Sequence, residues 1–156
     1  MALRIAVVGM GNSLSGDDRV GLEVASALRC LLSEFPVAGV EVFESVAGGL
    51  DLMVMLQGFD AAIVIDCYAA EQPVPGRVHR LKLDALGRGE GYRPGLAEVF
   101  ELARELRIPA PREIDVMGVE GAALGMVTDR MTPSVEAAIA PLALDLHAEL
   151  RARVGG

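Results

Sequence analysis

The chain reads as an α/β protein: a single three-layer domain over residues 1–156, with a five-stranded, mostly parallel twisted sheet and helices on both faces. Three observations carry this reading. Short, nearly all-apolar runs rich in Val and Ile alternate with stretches whose apolar residues recur every three or four positions. Strands apolar on both sides are buried on both sides, which is the habit of parallel sheets sandwiched between helices. Finally, 156 residues, 52% of them hydrophobic, suit one domain around one core, and no internal repeat, low-complexity tract or linker divides them.

Leu3–Val8 is the first strand, and it runs into the glycine turn Gly9-Met10-Gly11-Asn12. From Arg19 to Leu32 the spacing changes: Val20, Val24, Leu28 and Leu31 form the apolar stripe of an amphipathic helix. Asp17 and Asp18 stand at its start, where the helix dipole favours negative charge. Val40–Phe43 is a second strand, followed by a Gly48-Gly49 turn and a short helix over Leu50–Leu56. Ala61–Ile65 is a third strand, with Asp66 directly after it. Val78–Leu83 alternates, and because Arg80 and Lys82 share one face it is expected at or near a sheet edge. The Gly/Arg-rich stretch Leu86–Pro94 is a long loop, of the kind that often carries function. Leu96–Leu106 is helical and Ile114–Val119 is a strand. Thr132 is an N-cap with Pro133 at the first helical position, and the last helix runs to about Arg151 with Val135, Ile139, Leu142 and Leu146 on one stripe.

Composition excludes several function classes. Aromatic residues are only 4% and tryptophan is absent, so the core is aliphatic. The formal net charge is −8 with no Lys/Arg cluster, which argues against a nucleic-acid partner. Cys30 and Cys67 make no disulfide framework, and Cys67 is expected to be a small buried hydrophobe. No apolar run reaches the roughly 18 residues of a membrane span. The N-terminus opens at once on a strand pattern, so no leader is expected. A cytoplasmic address is expected.

The chemistry-bearing residues narrow the field further. The glycine turn fails as a dinucleotide fingerprint, because Leu14 occupies the third glycine position and two carboxylates stand where a pyrophosphate would sit. There is no G-x-S-x-G, and no local support for a Ser-His-Asp or Cys-His triad. Of the two histidines, His147 is expected on the surface of the last helix. His79 shares parity with Leu81 and Leu83 and is expected to pack. The carboxylates remain. Asp17 and Asp18 follow strand one and Asp66 follows strand three. If those strands are neighbours, the acids converge beyond the carboxyl ends of the sheet, where ligands collect. Converging carboxylates repel unless protonated or bound to a cation. Helix capping by the Asp17-Asp18 pair and solvent exposure of Asp66 would account for the same residues.

At these residues the chain resembles a known family. "VVGMGNSLSGDDRVGLEVASAL" (Val7–Leu28) strongly resembles the opening of the hydrogenase maturation proteases: a strand, G-x-G-N, a spacer, an acidic pair, then a helix with an early glycine, here Gly21. "ESVAGGLDLM" (Glu44–Met53), "AAIVIDCYAA" (Ala61–Ala70), "PGLAEVFELAR" (Pro94–Arg104), "VMGVE" (Val116–Glu120) and "MTPSVEAAIAPLALDL" (Met131–Leu146) look like later family segments in order, so the resemblance covers nearly the whole chain. It implies an endopeptidase that removes a C-terminal peptide from a nickel-loaded hydrogenase large-subunit precursor, the nickel being supplied by that precursor. It also implies two acidic residues and a histidine as contacts to the metal. Asp18 matches the first acid and Asp66 the second. The family histidine position is Tyr92 here, and a phenol with a pKa near ~10 is a poor nickel ligand at neutral pH. Three accounts follow from that departure. A donor comes from elsewhere, with His79 and Cys67 available; or two carboxylates and water suffice, the account adopted here; or the member is divergent, with altered activity. The rival of a different class is a non-catalytic chaperone or binding protein for the same precursor.

Overall fold

Apolar runs with no polar face need cover on both sides, and the chain supplies it by alternating its crossover helices between the two faces of one sheet. The computed structural model describes residues 2–46, 49–83 and 96–156. In chain order the elements are β1 (Ile5–Met10), α1 (Val20–Glu34), β2 (Val40–Ser45), α2 (Leu50–Met55), β3 (Ala61–Tyr68), β4 (Val78–Lys82), α3 (Leu96–Glu105), β5 (Glu113–Glu120) and α4 (Pro133–Gly155). A 3-10 turn at Gly16–Arg19 leads into α1.

The described strands lie in the order β2-β1-β3-β5-β4. β1 pairs in parallel with β2 and β3, β3 pairs in parallel with β5, and β4 runs antiparallel at the edge beside β5. Strands one and three are therefore neighbours, as expected. The chain leaves β1 toward β2 on one side and returns to β3 on the other. That reversal makes the carboxyl ends of β1 and β3 a topological switch point. α1 and α4 cover one face, burying Val20, Val24, Leu28, Val135, Leu142 and Leu146 against Ile5, Val7, Ile63 and Ile65. α2 and α3 cover the other, with Leu52, Met53, Phe100 and Ala103 on Ala6, Val8, Val64 and Val116. Each fully buried Leu, Val or Ile contributes about 1.5–3 kcal/mol, so both faces are secured by side chains alternating along the same strands.

Several expectations are corrected. β3 extends to Tyr68, so Asp66 lies within the strand rather than after it. Thr132 is the N-cap residue of α4, with proline following, but its hydroxyl makes no capping bond; it donates to Asp17 instead. His147 is buried, with Nε2 2.8 Å from the Phe35 carbonyl oxygen, rather than a surface residue. Among the described residues no helix is long and apolar enough to cross a membrane.

Candidate functional site

The switch point is built by close approach of backbone. A Cβ on Gly21 would collide with the carbonyl oxygens of Met10 and Ile65, so the first turn of α1 sits directly on the ends of β1 and β3. A Cβ on Gly9 would reach 2.6 Å from Ala25 Cβ, and one on Gly11 would strike the Asp18 carbonyl oxygen. Glycine at these positions lets the acid-bearing turn fold down onto the sheet.

The two acids of that turn have different fates. Asp17 is fully buried. Its carboxylate accepts four hydrogen bonds: from the Ala122 and Ala123 N–H groups at 2.8 Å each, and from the Thr132 N–H and hydroxyl at 2.7 Å each. Burial pushes its pKa up, but these bonds outweigh that and hold the carboxyl below its ordinary value. Asp17 thus ties the turn to the loop before α4. Neighbouring Gly121 has no side chain because a Cβ there would come 2.7 Å from Cys67 Sγ and 2.9 Å from Asp17 Cβ.

Asp18 is half-buried. Its carbonyl accepts the Asn12 N–H at 3.3 Å, and its own N–H donates to the Ser15 carbonyl at 3.0 Å, which sets it above the end of β1. The turn that carries it packs against β3. Asp66 is buried in β3, with its Oδ1 accepting the Cys67 N–H at 2.8 Å. Asp18, in the turn after β1, and Asp66, late in β3, therefore stand at the same end of the sheet, beside the switch point. No cluster of three His, Cys, Asp or Glu residues with metal-holding geometry occurs among the described residues. Tyr92 and the Leu86–Pro94 loop lie outside the described residues.

The two alternative donors are placed differently. Cys67 is buried in the α1–α4 core, whereas Asp66 shares its side of β3 with Ala62 and Val64 on the α2–α3 face. A strand cannot turn both side chains to one ligand. His79 does more than pack. Its Nε2 lies 2.8 Å from Oε2 of Glu120, and its ring stacks on Tyr68 with centroids 4.5 Å apart. Glu120 is itself buried, accepts the Val74 N–H at 3.1 Å, and has Arg77 Nε at 3.4 Å. The hydrogen bond from His79, with help from Val74, holds its carboxyl below the ordinary range. Sequence reasoning passed over Glu120 and Tyr68. The signal for them is the antiparallel pairing of β4 with β5, which no local pattern reveals.

An open α/β sheet with acidic residues near its switch point defines the class: the doubly covered sheets in which ligands collect beyond the carboxyl ends of the strands. Comparison with known proteins takes this further. No family model matches the chain. It is 27% identical over 156 residues to the hydrogenase 2 maturation protease of Escherichia coli (strain K12), covering 96% of this chain and 92% of that protein. Its structure is similar to the hydrogenase maturating endopeptidase HybD from Escherichia coli, with TM-score 0.76 and 25% identity over 97% of this chain and 94% of that one. The [NiFe] hydrogenase maturation protease HycI from Thermococcus kodakarensis KOD1 shares the fold at TM-score 0.75 and 21% identity, with 97% and 94% covered. Along nearly its whole length, then, the chain is similar in sequence and fold to hydrogenase maturation proteases.

Proposed function

We propose that this chain is an endopeptidase that cleaves a C-terminal peptide from a nickel-loaded hydrogenase large-subunit precursor, working in the cytoplasm. Nickel enters as part of the substrate. Asp18 and Asp66 add oxygen contacts to a metal already held by the precursor's own ligands, and so position the scissile bond. Proximity of this kind supplies a large share of rate enhancement. One observation above all supports the reading: of the two acids matched to the family motif, Asp18 lies in the turn that follows β1 and Asp66 lies late in the adjacent strand β3, both at the switch-point end of the sheet.

The test is incubation of the chain with nickel-loaded precursor, followed by intact mass. Wild type is expected to shorten the precursor. Asp18→Ala and Asp66→Asn are expected to abolish shortening while retaining wild-type circular dichroism. An uncut precursor beside a competent control protease would instead favour a binding protein. Normal processing by Asp18→Ala would remove Asp18 from the site.

A further inference from the structure

Three strands lay three residues in one row. Asp66 of β3 is opposite Gly118 of β5, and Gly118 is opposite His79 of β4. All three belong to the α2–α3 face, in step with Val64, Val116 and Leu81. In the next row toward the carboxyl end of β3, Tyr68 is opposite Glu120. β3 and β4 are two strand spacings apart, about 9.5 Å. Yet the Tyr68 and His79 rings lie 4.5 Å apart and only 30° from parallel. They meet over β5, where Gly118 offers no side chain to obstruct them. The two rings therefore close on each other across β5, at the end of the sheet where β3 carries Asp66.

Its orientation is set from behind. Glu120 is buried, and its Oε2 lies 2.8 Å from Nε2 of His79. The Val74 N–H and Arg77 hold that carboxylate in turn. An ionised carboxylate only accepts hydrogen bonds, so Nε2 donates to Glu120 and Nδ1 is the ring nitrogen left to exchange a proton with a substrate. A base whose second nitrogen is pinned by a carboxylate is the base-and-orienter pair of nucleophilic and hydrolytic sites. An edge strand needs no such pair merely to stay attached, since Arg80 and Lys82 already bind it through Asp115 on the other face.

We infer that His79, oriented by Glu120, is the proton-transferring residue of peptide cleavage at this site. The inference rests on the endopeptidase reading. Water attacks the scissile carbonyl carbon as Nδ1 takes one of its protons. The tetrahedral intermediate then collapses, the C–N bond breaks, and the imidazolium returns that proton to the leaving amine. One water is consumed, and one carboxyl and one amine are formed.

The experiment uses the full chain with nickel-loaded precursor. It compares wild type, His79→Gly, His79→Gln and Glu120→Gln, each checked for folding by thermal melt. Cleavage by the two His79 variants is expected to fall about 10²- to 10⁴-fold, with precursor affinity within about threefold of wild type on the scale of one weak contact. Added imidazole is expected to restore turnover in His79→Gly and to do nothing for Asp18→Ala. Nitrogen-15 spectra of the imidazole are expected to show the Nε2–H tautomer in wild type and to lose it in Glu120→Gln. Wild-type cleavage rates in a folded His79 variant would overturn the inference alone. So would loss of precursor binding in His79→Gln, or a His79→Gly that free imidazole fails to rescue. A wild-type chain that leaves the precursor uncut would overturn the endopeptidase reading and this inference with it.

Discussion

Adjacent aspartates can do unrelated work, and Asp17 and Asp18 show how. Asp17 turns inward to satisfy three backbone N–H groups and a hydroxyl, while Asp18 stays half-open at the crevice. Hydrogen bonds to a buried charge carry about 1.5–3 kcal/mol each, and their orphaned donors cost more when the acceptor goes. Asp17→Ala is therefore expected to destabilise the fold by about 3–5 kcal/mol, read as a lower urea midpoint with an unchanged slope. Thr132→Val removes only one of the four bonds and is expected to cost about 1 kcal/mol in the same assay. A cost below about 1 kcal/mol for Asp17→Ala would show that the loop holds itself. The sequence made both acids visible as a pair at a helix start. It could not say which one faced inward, because the partners of Asp17 are more than a hundred residues away.

The start of α1 and the edge strand β4 are the elements whose attachments matter most to the site. Gly21 lets α1 rest on strand-end carbonyls, and the atoms a methyl group would strike are backbone. Gly21→Ala is expected to cost about 3 kcal/mol, the upper end for overpacking by one methyl, and to lower cleavage by lifting the acid-bearing turn. A differential scan should show a fall of roughly 6–12 °C, at about 2–4 °C per kcal/mol for a chain of this size. β4 is tied to the sheet and to α4 by Arg80, which reaches Asp115 at 2.6 Å and Glu149 at 2.6 Å, and by Lys82, 2.7 Å from Asp115. The shared face of Arg80 and Lys82 was legible from alternation. What they reach was not, since Asp115 and Glu149 become neighbours only when β5 and α4 pack. Arg80 is about one-third exposed, so solvent screens these pairs. Arg80→Met is expected to cost about 1–2 kcal/mol, and high salt should narrow the gap to wild type.

At the scale of the whole molecule, four carboxyl groups among the described residues shift in the same direction. Asp17, Asp115, Glu120 and Glu149 are all held below their ordinary values of 3.8 for aspartate and 4.5 for glutamate. For Asp115 burial acts upward, but the hydrogen bonds from Lys82 and Arg80 outweigh it. For Glu149 the Arg80 hydrogen bond leads. A depressed folded-state pKa adds stability that is present above the unfolded value and lost as pH falls through the folded one. Stability should therefore hold as pH falls from 7 toward about 5, then drop steadily below about 4.5. Asp115→Asn should flatten part of that drop. A urea midpoint independent of pH down to about 3 would contradict it.

The sequence by itself determined the fold class, the order of the elements, and which acids are candidates for the crevice. Each of these is written in local periodicity, in glycine spacing, or in contiguous motifs that survive without knowledge of what packs where. Tertiary structure alone decided that Asp66 lies within β3, that Asp17 clamps the loop before α4, that His147 is buried against the end of α1, and that Cys67 and Asp66 face opposite ways. It also decided that His79 meets Glu120 and Tyr68 over Gly118. The physical reason is the same throughout. A residue's neighbours along the chain set its local conformation, but the partners of a buried charge or ring come from strands joined only by pairing. That pairing is the outcome of burying both faces of the sheet at once.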